Sequence, residues 1–398
     1  MSEPLVIERS FQGWKMWLGI AIGLGVAFWM LYNSLQETRF IEVGSGNGSY
    51  EWVDYNGNGA VDHRLAQEFK FIEKGGTYRK EHLSDTLSEV NWSGQSVLWL
   101  LMTVLFVVGR DLFYIIRIRL LTHKELSWKS GYRVIMLWEF ASALSPGVVG
   151  GAAVAMFILN REKIALGRST AIVIITAMLD NLFYVLMIPL VFLFIDQEHL
   201  FPNTSSGGMA VQYVFWIGFT AILAVCLFLF TSLFMAPGLA TRFLSFLFRF
   251  PLLKKWREGA IQTGNDIETA SRELKNERFT FWLKVFGATC GSWVSRYLVI
   301  NAILQAFLNL GFIDHITILG KQLVLWLFML VSPTPGGSGV AEYAFSELLS
   351  AFSSSAVLLA ALAILWRLVS YFPYLFIGAF LLPRWIRKTR STRRLTNK

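Results

Sequence analysis

The sequence predicts an all-α integral membrane protein, with six transmembrane helices and two opposed re-entrant helical hairpins arranged as an inverted repeat. Three observations predict it. The chain of 398 residues is 54% hydrophobic and only 16% charged, well away from the composition of soluble domains. Six stretches, near 14–33, 95–116, 169–195, 211–236, 281–308 and 356–382, are apolar over about 20 residues or more, the length that crosses a bilayer. Two further apolar stretches, Val134–Leu159 and Leu323–Leu349, are broken at mid-length. The breaks read Ser145-Pro146-Gly147-Val148-Val149-Gly150-Gly151 and Ser332-Pro333-Thr334-Pro335-Gly336-Gly337-Ser338-Gly339. A shift of 187 positions superimposes Ser145-Pro146 on Ser332-Pro333 and Gly150 on Gly337. Proline lacks a backbone donor and clashes with the turn before it, so a helix stops there. Broken backbone at membrane depth survives only where protein or water satisfies it. Matched breaks in two halves of a chain point to a transport site.

Charge sets the topology of each element in turn. The net charge of +9 is unevenly spread, which argues against nucleic-acid binding. Counted over alternate loops, 26 Lys and Arg fall on one side (the N-terminus, 117–133, 160–168, 237–284 and 383–398) and seven on the other (34–94, 196–210, 309–321). The positive-inside rule then places both termini in the cytoplasm, as in a bacterial-type inner membrane. Residues 1–33 form a cytoplasmic N-terminus and first membrane helix, too long for a cleaved signal peptide. Residues 34–94 form a small extracytoplasmic domain, 95–195 a first helix–hairpin–helix repeat, and 196–280 the fourth membrane helix with a cytoplasmic interfacial segment. Residues 281–382 form the second repeat, and 383–398 a basic tail facing anionic lipid. Cys226 and Cys290 both fall inside expected helices and read as packing residues.

Both flanks of the first broken stretch are basic: Arg117, Arg119, Lys124, Lys129 and Arg133 before it, Arg161, Lys163 and Arg168 after it. A segment that starts and ends on one side dips into the bilayer and returns. The flanks of the second, Asp314, His315 and Lys321, then Ser350–Ser355, fall on the outer side in the same count. The repeat extends further. Val108-Gly109-Arg110 lines up with Val294-Ser295-Arg296 at an offset of 186, and Asp180 with Arg367 at 187.

Ionisable residues inside membrane segments each cost roughly 2.5–3.5 kcal/mol at the centre of a span. Arg110, Asp111, Glu139, Asp180, Arg296, Glu342 and Arg367 all lie within such stretches. They read as a polar substrate-binding cavity. Arg110, Arg296 and Arg367 suit a phosphate, because guanidinium forks match phosphate geometry. Glu139, Asp180 and Glu342 suit counter-charges or proton carriers. The bland alternative pairs Arg110 with Asp111 and Asp180 with Arg367 simply to hold helices together. The hairpin tips (Ser145, Pro146, Gly147, Gly150 and Gly151; Pro333, Pro335, Gly336, Gly337 and Gly339) would present free backbone N–H groups to an anion.

Other chemistries find little support. Gly336-Gly337-Ser338-Gly339 contains the Gly-x-Ser-Gly of intramembrane serine proteases, but His63, His82, His123, His199 and His315 all fall in loops or at edges, which leaves no base for the serine. The same placement excludes a His-Glu-x-x-His zinc site. In the outer segment, Asp54, Asn56, Asn58 and Asp62 carry oxygens at the spacing of a calcium loop, with Gly59 at its sixth position. Position 12 is Leu65, and two Asn-Gly pairs following Glu51-Trp52-Val53 equally signal a β-turn after a strand. Ca2+ there is the one cofactor the sequence suggests.

Pro333-Thr334-Pro335-Gly336-Gly337-Ser338-Gly339-Val340-Ala341-Glu342 resembles the Pro-Thr-Pro-Gly-Gly-x-Gly-x-x-Glu signature of a flippase-like membrane family that includes the transmembrane half of lysylphosphatidylglycerol synthases. Pro146-Gly147-Val148-Val149-Gly150-Gly151, followed by Leu159-Asn160-Arg161, resembles that family's first Pro…Gly-Gly element. The likeness covers roughly 95–390. It implies a non-enzymatic membrane protein that moves a phospholipid or lipid-linked head group between leaflets. Many members carry an acid and a base after the first Pro-Gly, where this chain has Gly151, Ala152 and Ala153, so no head-group contact carries over to that position. The chain reaches only Lys398, so lipid aminoacylation is not expected. Two other readings remain open at this point: a small-solute secondary transporter, and a non-transporting partner of a membrane lipid-modifying enzyme.

Overall fold

A computed structural model describes residues 39–44, 46–55, 57, 59, 61, 65–81, 92–145, 149–201, 207–236, 238–249, 255, 257–274, 277–332, 334, 336–337, 340–353 and 356–396. The first expected span, 14–33, lies outside them. The membrane part is helical as expected, and the outer segment adds a small antiparallel sheet to it. Strands β1 (Arg39–Glu42), β2 (Gly48–Trp52), β3 (Phe69–Gly76) and β4 (Tyr78–Glu81) lie in the order β1-β4-β2-β3. Aromatic and β-branched residues between glycine-rich turns favour strands over helix. Phe40 stacks on Phe69 at 4.2 Å and Tyr78 meets Phe69 edge-on, which gives the sheet a small core of its own.

The rest is helical: α1 (Gly94–Leu121), α2 (Trp128–Leu144), α3 (Val149–Arg161), α4 (Leu166–Phe192), α5 (Gly207–Phe230), α6 (Leu239–Leu247) and α7 (Arg257–Leu274). After them come α8 (Phe279–Phe307), α9 (Phe312–Val331), α10 (Val340–Leu348), α11 (Ala356–Ser370) and α12 (Phe372–Thr396). Ser93 and Ser127 cap α1 and α2, each accepting a backbone N–H three residues on, which satisfies donors that a helix start leaves free. Among the described residues five stretches are long and apolar enough to cross a membrane: Gly94–Leu121, Leu166–Phe192, Val211–Met235, Phe312–Leu330 and Ala361–Arg387. The set differs from the expected one. It includes Phe312–Leu330, where the sequence places 309–321, with Asp314, His315 and Lys321, in an outer loop and starts the second broken stretch only at Leu323. It omits α8, whose packed face carries Thr289, Ser292, Ser295 and Asn301.

Polarity along α1 runs inside out. Val97, Leu101, Val104, Val108 and Leu112 form an exposed apolar stripe, whereas Thr103, Arg110 and Arg117 are buried. A helix in water does the reverse, and a helix in lipid hides its polar groups from the chains around it. The polar side of α1 packs along α8, the most extensive helix pair among the described residues. A Cβ on Gly109 would touch Ser295, and one on Gly291 would strike the Phe113 ring. As one position advances by four the other falls by four, so the two helices run antiparallel.

Both broken stretches fold back. Helix α2 ends at Leu144, where the Ser145 hydroxyl donates to the Ala141 carbonyl (2.8 Å), and α3 begins at Val149. The two helices pack together, so closely that a Cβ on Gly151 would overlap the Ser142 hydroxyl. At the far end, Arg133 near the start of α2 pairs with Glu162 just past α3 (3.0 Å), and the Trp385 indole of α12 donates to the same carboxylate (2.8 Å). The start of α2 and the end of α3 therefore lie side by side. At 17 and 13 residues the limbs are about 26 and 20 Å long. Helices α9 and α10 likewise pack on each other across the second break, and α10 spans only nine residues.

The expected last span, 356–382, overlaps the candidate span Ala361–Arg387 but is interrupted within it. It breaks at Tyr371 between α11 and α12, one residue before Phe372-Pro373, where proline restricts the residue ahead of it and suits a first helical turn. The expected second span also ends too early: α1 continues to Leu121 and carries Arg117 inside the bundle rather than in a loop. Two apolar cores flank this region. One gathers Ile118, Phe140, Leu159, Ile175 and Leu375, and the other Tyr184, Ile303, Leu323, Phe345 and Leu362.

Candidate functional site

The buried charges meet where the two cores adjoin. Arg110 of α1 places Nη2 2.6 Å from Glu139 of α2, and its Nε 3.6 Å from the neighbouring Asp111. Arg296 of α8 reaches the other oxygen of Glu139 at 3.8 Å. One carboxylate thus stands between arginines from the paired helices α1 and α8. Asp111 in turn accepts the Tyr374 hydroxyl with both oxygens (2.8 and 3.0 Å). The Arg110 guanidinium lies 4.6 Å over the Tyr374 ring, an electrostatic contact that strengthens as water is removed.

Asp180 of α4 forms the lower part of the cluster. It pairs with Arg117 of α1 and accepts the Trp293 indole N–H of α8 (2.7 Å). Arg117 also donates to Thr289 (3.4 Å) and lies 4.8 Å over the Tyr114 ring. Arg110 and Arg296 approach the same ring at 5.6 and 6.0 Å. Tyr114 is therefore a shared aromatic face for three guanidinium groups. Three arginines here meet three carboxylates, Asp111, Glu139 and Asp180, so the cluster is close to neutral as it stands. Buried charges persist only when paired in this way. Even so, the Nε atoms of Arg110 and Arg296 are buried without a hydrogen-bond partner.

Arg367 and Glu342 form a second pair at 3.0 Å, between α11 and the first turn of α10. The Asp180–Arg367 pairing of the bland alternative does not occur; each has another ionic partner. Tyr371 links this pair to the first break. Its ring lies 3.8 Å under the Arg367 guanidinium, and its hydroxyl donates to the Ala143 carbonyl at the end of α2 (3.0 Å). Gly336 of the second break sits against the same ring. A Cβ there would come within 2.2 Å of Tyr371 Cε2, and its φ of +57° is one that glycine adopts freely. Both chain breaks thus touch one tyrosine.

Of the tip residues, Ser145, Gly151 and Gly336 are placed as described, the Gly337 carbonyl accepts the Ala341 N–H (2.8 Å), and Gly150 lies in the first turn of α3. Pro146, Gly147, Pro333, Pro335 and Gly339 lie outside the described residues. In the outer segment, Asp54 accepts the backbone N–H groups of Gly57 (2.7 Å) and Gly59 (2.9 Å), three and five residues on, which closes the turn after β2. Glu68 is buried and accepts the Trp52 indole (3.1 Å). Asn56, Asn58 and Asp62 lie outside the described residues.

Sequence reasoning overlooked Arg117, Thr289, Tyr114, Trp293, Tyr371 and Tyr374. A signal existed for two of them: Tyr114 and Tyr371 each follow a buried arginine by four residues, the spacing that stacks side chains on one helix face.

Comparison with known proteins points to a membrane protein. The family model described as the lysylphosphatidylglycerol synthase TM region matches residues 83–378. A UPF0104 membrane protein from Archaeoglobus fulgidus is 27% identical over 311 residues, covering 74% of this chain and 89% of that protein. No solved structure matches.

Proposed function

From the premise that this chain belongs to the family of the lysylphosphatidylglycerol synthase transmembrane region, a multi-pass membrane protein, we propose that it moves an anionic phospholipid or lipid-linked head group between leaflets. The observation that carries this reading is the buried, charge-balanced cluster of Arg110, Arg117, Arg296, Asp111, Glu139 and Asp180 inside an apolar-surfaced bundle. Charge is expensive at that depth, and a structural role would be filled more cheaply by apolar packing. A phosphate can replace a carboxylate at any of the three guanidinium groups without leaving a bare buried cation. The shared Tyr371 contact ties both chain breaks to the adjacent Arg367–Glu342 pair.

In this reading the two helix–break–helix stretches are re-entrant hairpins that enter from opposite faces. The return of α3 to the Arg133 end of α2 supports that for the first. The antiparallel crossing of α1 and α8 supports an inverted repeat. Gly109 and Ser295 occupy equivalent places in the two repeats, and a Cβ on Gly109 would touch Ser295, as expected of residues near a two-fold axis. With the 14–33 stretch as a further span, the basic loops face the cytoplasm. The protein acts as a conduit and performs no covalent chemistry.

The test is leaflet exchange of labelled anionic phospholipids in liposomes, comparing the unaltered protein with Arg296→Ala and Glu342→Ala. Exchange that both substitutions abolish is the expected result. Absence of exchange by well-folded protein across several head groups, with and without a proton gradient, would sink the reading in favour of a solute carrier or an enzyme partner.

A further inference from the structure

A recess of about 460 Å3 opens at the end of the bundle that carries the basic loops. Its walls are Leu121, His123 and Glu125 from the end of α1 and the turn after it, with Arg168, Ile172 and Ile175 from α4. The size falls within the roughly 300–1,000 Å3 of small-ligand sites. The rim is polar: Arg168 pairs with Glu125, and His123 lies 3.3 Å from Glu277. The floor is apolar and buried, with Leu121 and Ile172 at 2% exposure.

Helical spacing fixes what lies above the floor. Arg117 is four residues before Leu121 on α1. Thr176 and Asp180 follow Ile172 by four and eight residues on α4. Residues spaced by four stack on one helix face, so the Arg117–Asp180 pair sits one to two turns beyond the floor. Thr176 between them is buried with its hydroxyl unbonded. On the far side of the pair, Asp180 is held by Trp293, and Trp293 lies under the Arg296 guanidinium at 4.9 Å. By helical spacing the pair therefore lies between the recess and the rest of the buried cluster.

We propose that Arg117 and Asp180 form a gate, opened when the phosphate of an anionic phospholipid head group in the recess displaces Asp180 from Arg117. This rests on the transport reading above. The pair is built to part. Asp180 keeps the Trp293 N–H, and Arg117 keeps Thr289 and the Tyr114 face, so each retains a polar partner when the other leaves. The guanidinium offers a phosphate the same two-pronged contact it offers a carboxylate. Thr176 supplies a free hydroxyl along the route from the recess.

The experiment reads solvent access to Thr289, which is buried and touches Arg117. The full chain carrying Cys226→Ser and Cys290→Ser receives Thr289→Cys and is reconstituted in nanodiscs. A water-soluble thiol reagent is then applied. The added thiol is expected to be protected with Asp180 intact and to react at least tenfold faster after Asp180→Asn. Addition of short-chain phosphatidylglycerol to the Asp180-intact protein is expected to accelerate it as well, whereas inorganic phosphate at equal concentration is not. Leu304→Cys, fully buried in the other half, must stay protected throughout, which separates a local opening from unfolding. Should Asp180→Asn lose the fold, the double substitution Arg117→Gln with Asp180→Asn removes both charges and is expected to give the same acceleration. Unchanged protection in the folded neutral variants would overturn the gate, and acceleration by inorganic phosphate would overturn its lipid assignment. Labelling is independent of leaflet exchange. A gate that opens in a protein that exchanges no lipid would defeat the transport reading, and exchange with no labelling change would defeat the gate alone.

Discussion

Glu139 is the residue on which the upper cluster depends, because Arg110 and Arg296 reach its two oxygens from different helices. Glu139→Gln keeps the shape and removes the charge, leaving two buried guanidinium groups short of a counter-ion. Breaking a buried pair in this way costs about 3–5 kcal/mol. Thermal unfolding in detergent should show that loss, and lipid exchange should fall with it. Gly336 is bound by sterics instead of charge. Gly336→Ala adds a Cβ that overlaps the Tyr371 ring at a positive φ, a backbone cost of roughly 1–2 kcal/mol before any repacking. Gly259→Ala, where a Cβ meets nothing within 4 Å inside α7, should instead stabilise by up to about 1 kcal/mol. A melting series over the two alanine variants checks both signs. At this scale the intramembrane charges were legible, since an arginine or acid within an apolar stretch is conspicuous. Arg117 was not, because Arg119 and Lys124 beside it make the segment read as a loop, and its partner Asp180 is 63 residues away. The tyrosines were hidden for the opposite reason: aromatic residues in apolar helices read as packing until a guanidinium is seen lying on them.

Elements that end on proline and glycine declare themselves, which is why the stops at Leu144 and Val331 follow the sequence closely. The break at Tyr371 has only Pro373 to announce it, and a single proline in the first turn of a helix is also compatible with a continuous run. What holds that break is tertiary: the Tyr371 hydroxyl on the Ala143 carbonyl and its ring between Arg367 and Gly336. The outer sheet was half legible, through its Asn-Gly turn signals and Glu51-Trp52, but pairing in the order β1-β4-β2-β3 joins residues 42 positions apart, which local pattern does not encode. Tyr371→Phe removes only the hydroxyl. Loss of one buried hydrogen bond should cost about 0.5–1.5 kcal/mol, measured by unfolding. Tyr371→Ala removes the ring as well, and with it the obstacle to a side chain at position 336. Gly336→Ala should therefore cost less in the Tyr371→Ala background than alone. A double-mutant cycle giving additive losses would mean the two breaks are not coupled through this residue.

The whole molecule is organised by what surrounds it. Val108 and Arg110 lie two residues apart on α1, at nearly the same depth, yet Val108 is 57% exposed and Arg110 3%. In water that arrangement would be backwards. In a bilayer it is required, because lipid chains reward the exposed valine and punish any charge that is not enclosed by partners such as Glu139. The two positions therefore make opposite predictions for one kind of side chain. An arginine is tolerated at 110 because the bundle supplies a carboxylate and two tyrosine rings. Val108→Arg offers the same cation to the hydrocarbon with nothing to meet it, at a cost of roughly 2.5–3.5 kcal/mol on insertion scales. Val108→Leu should be neutral. Folded protein recovered from the membrane fraction, compared across Val108→Arg, Val108→Leu and the unaltered chain, measures the difference. Full recovery of Val108→Arg would mean that this stripe faces water or a protein partner rather than lipid.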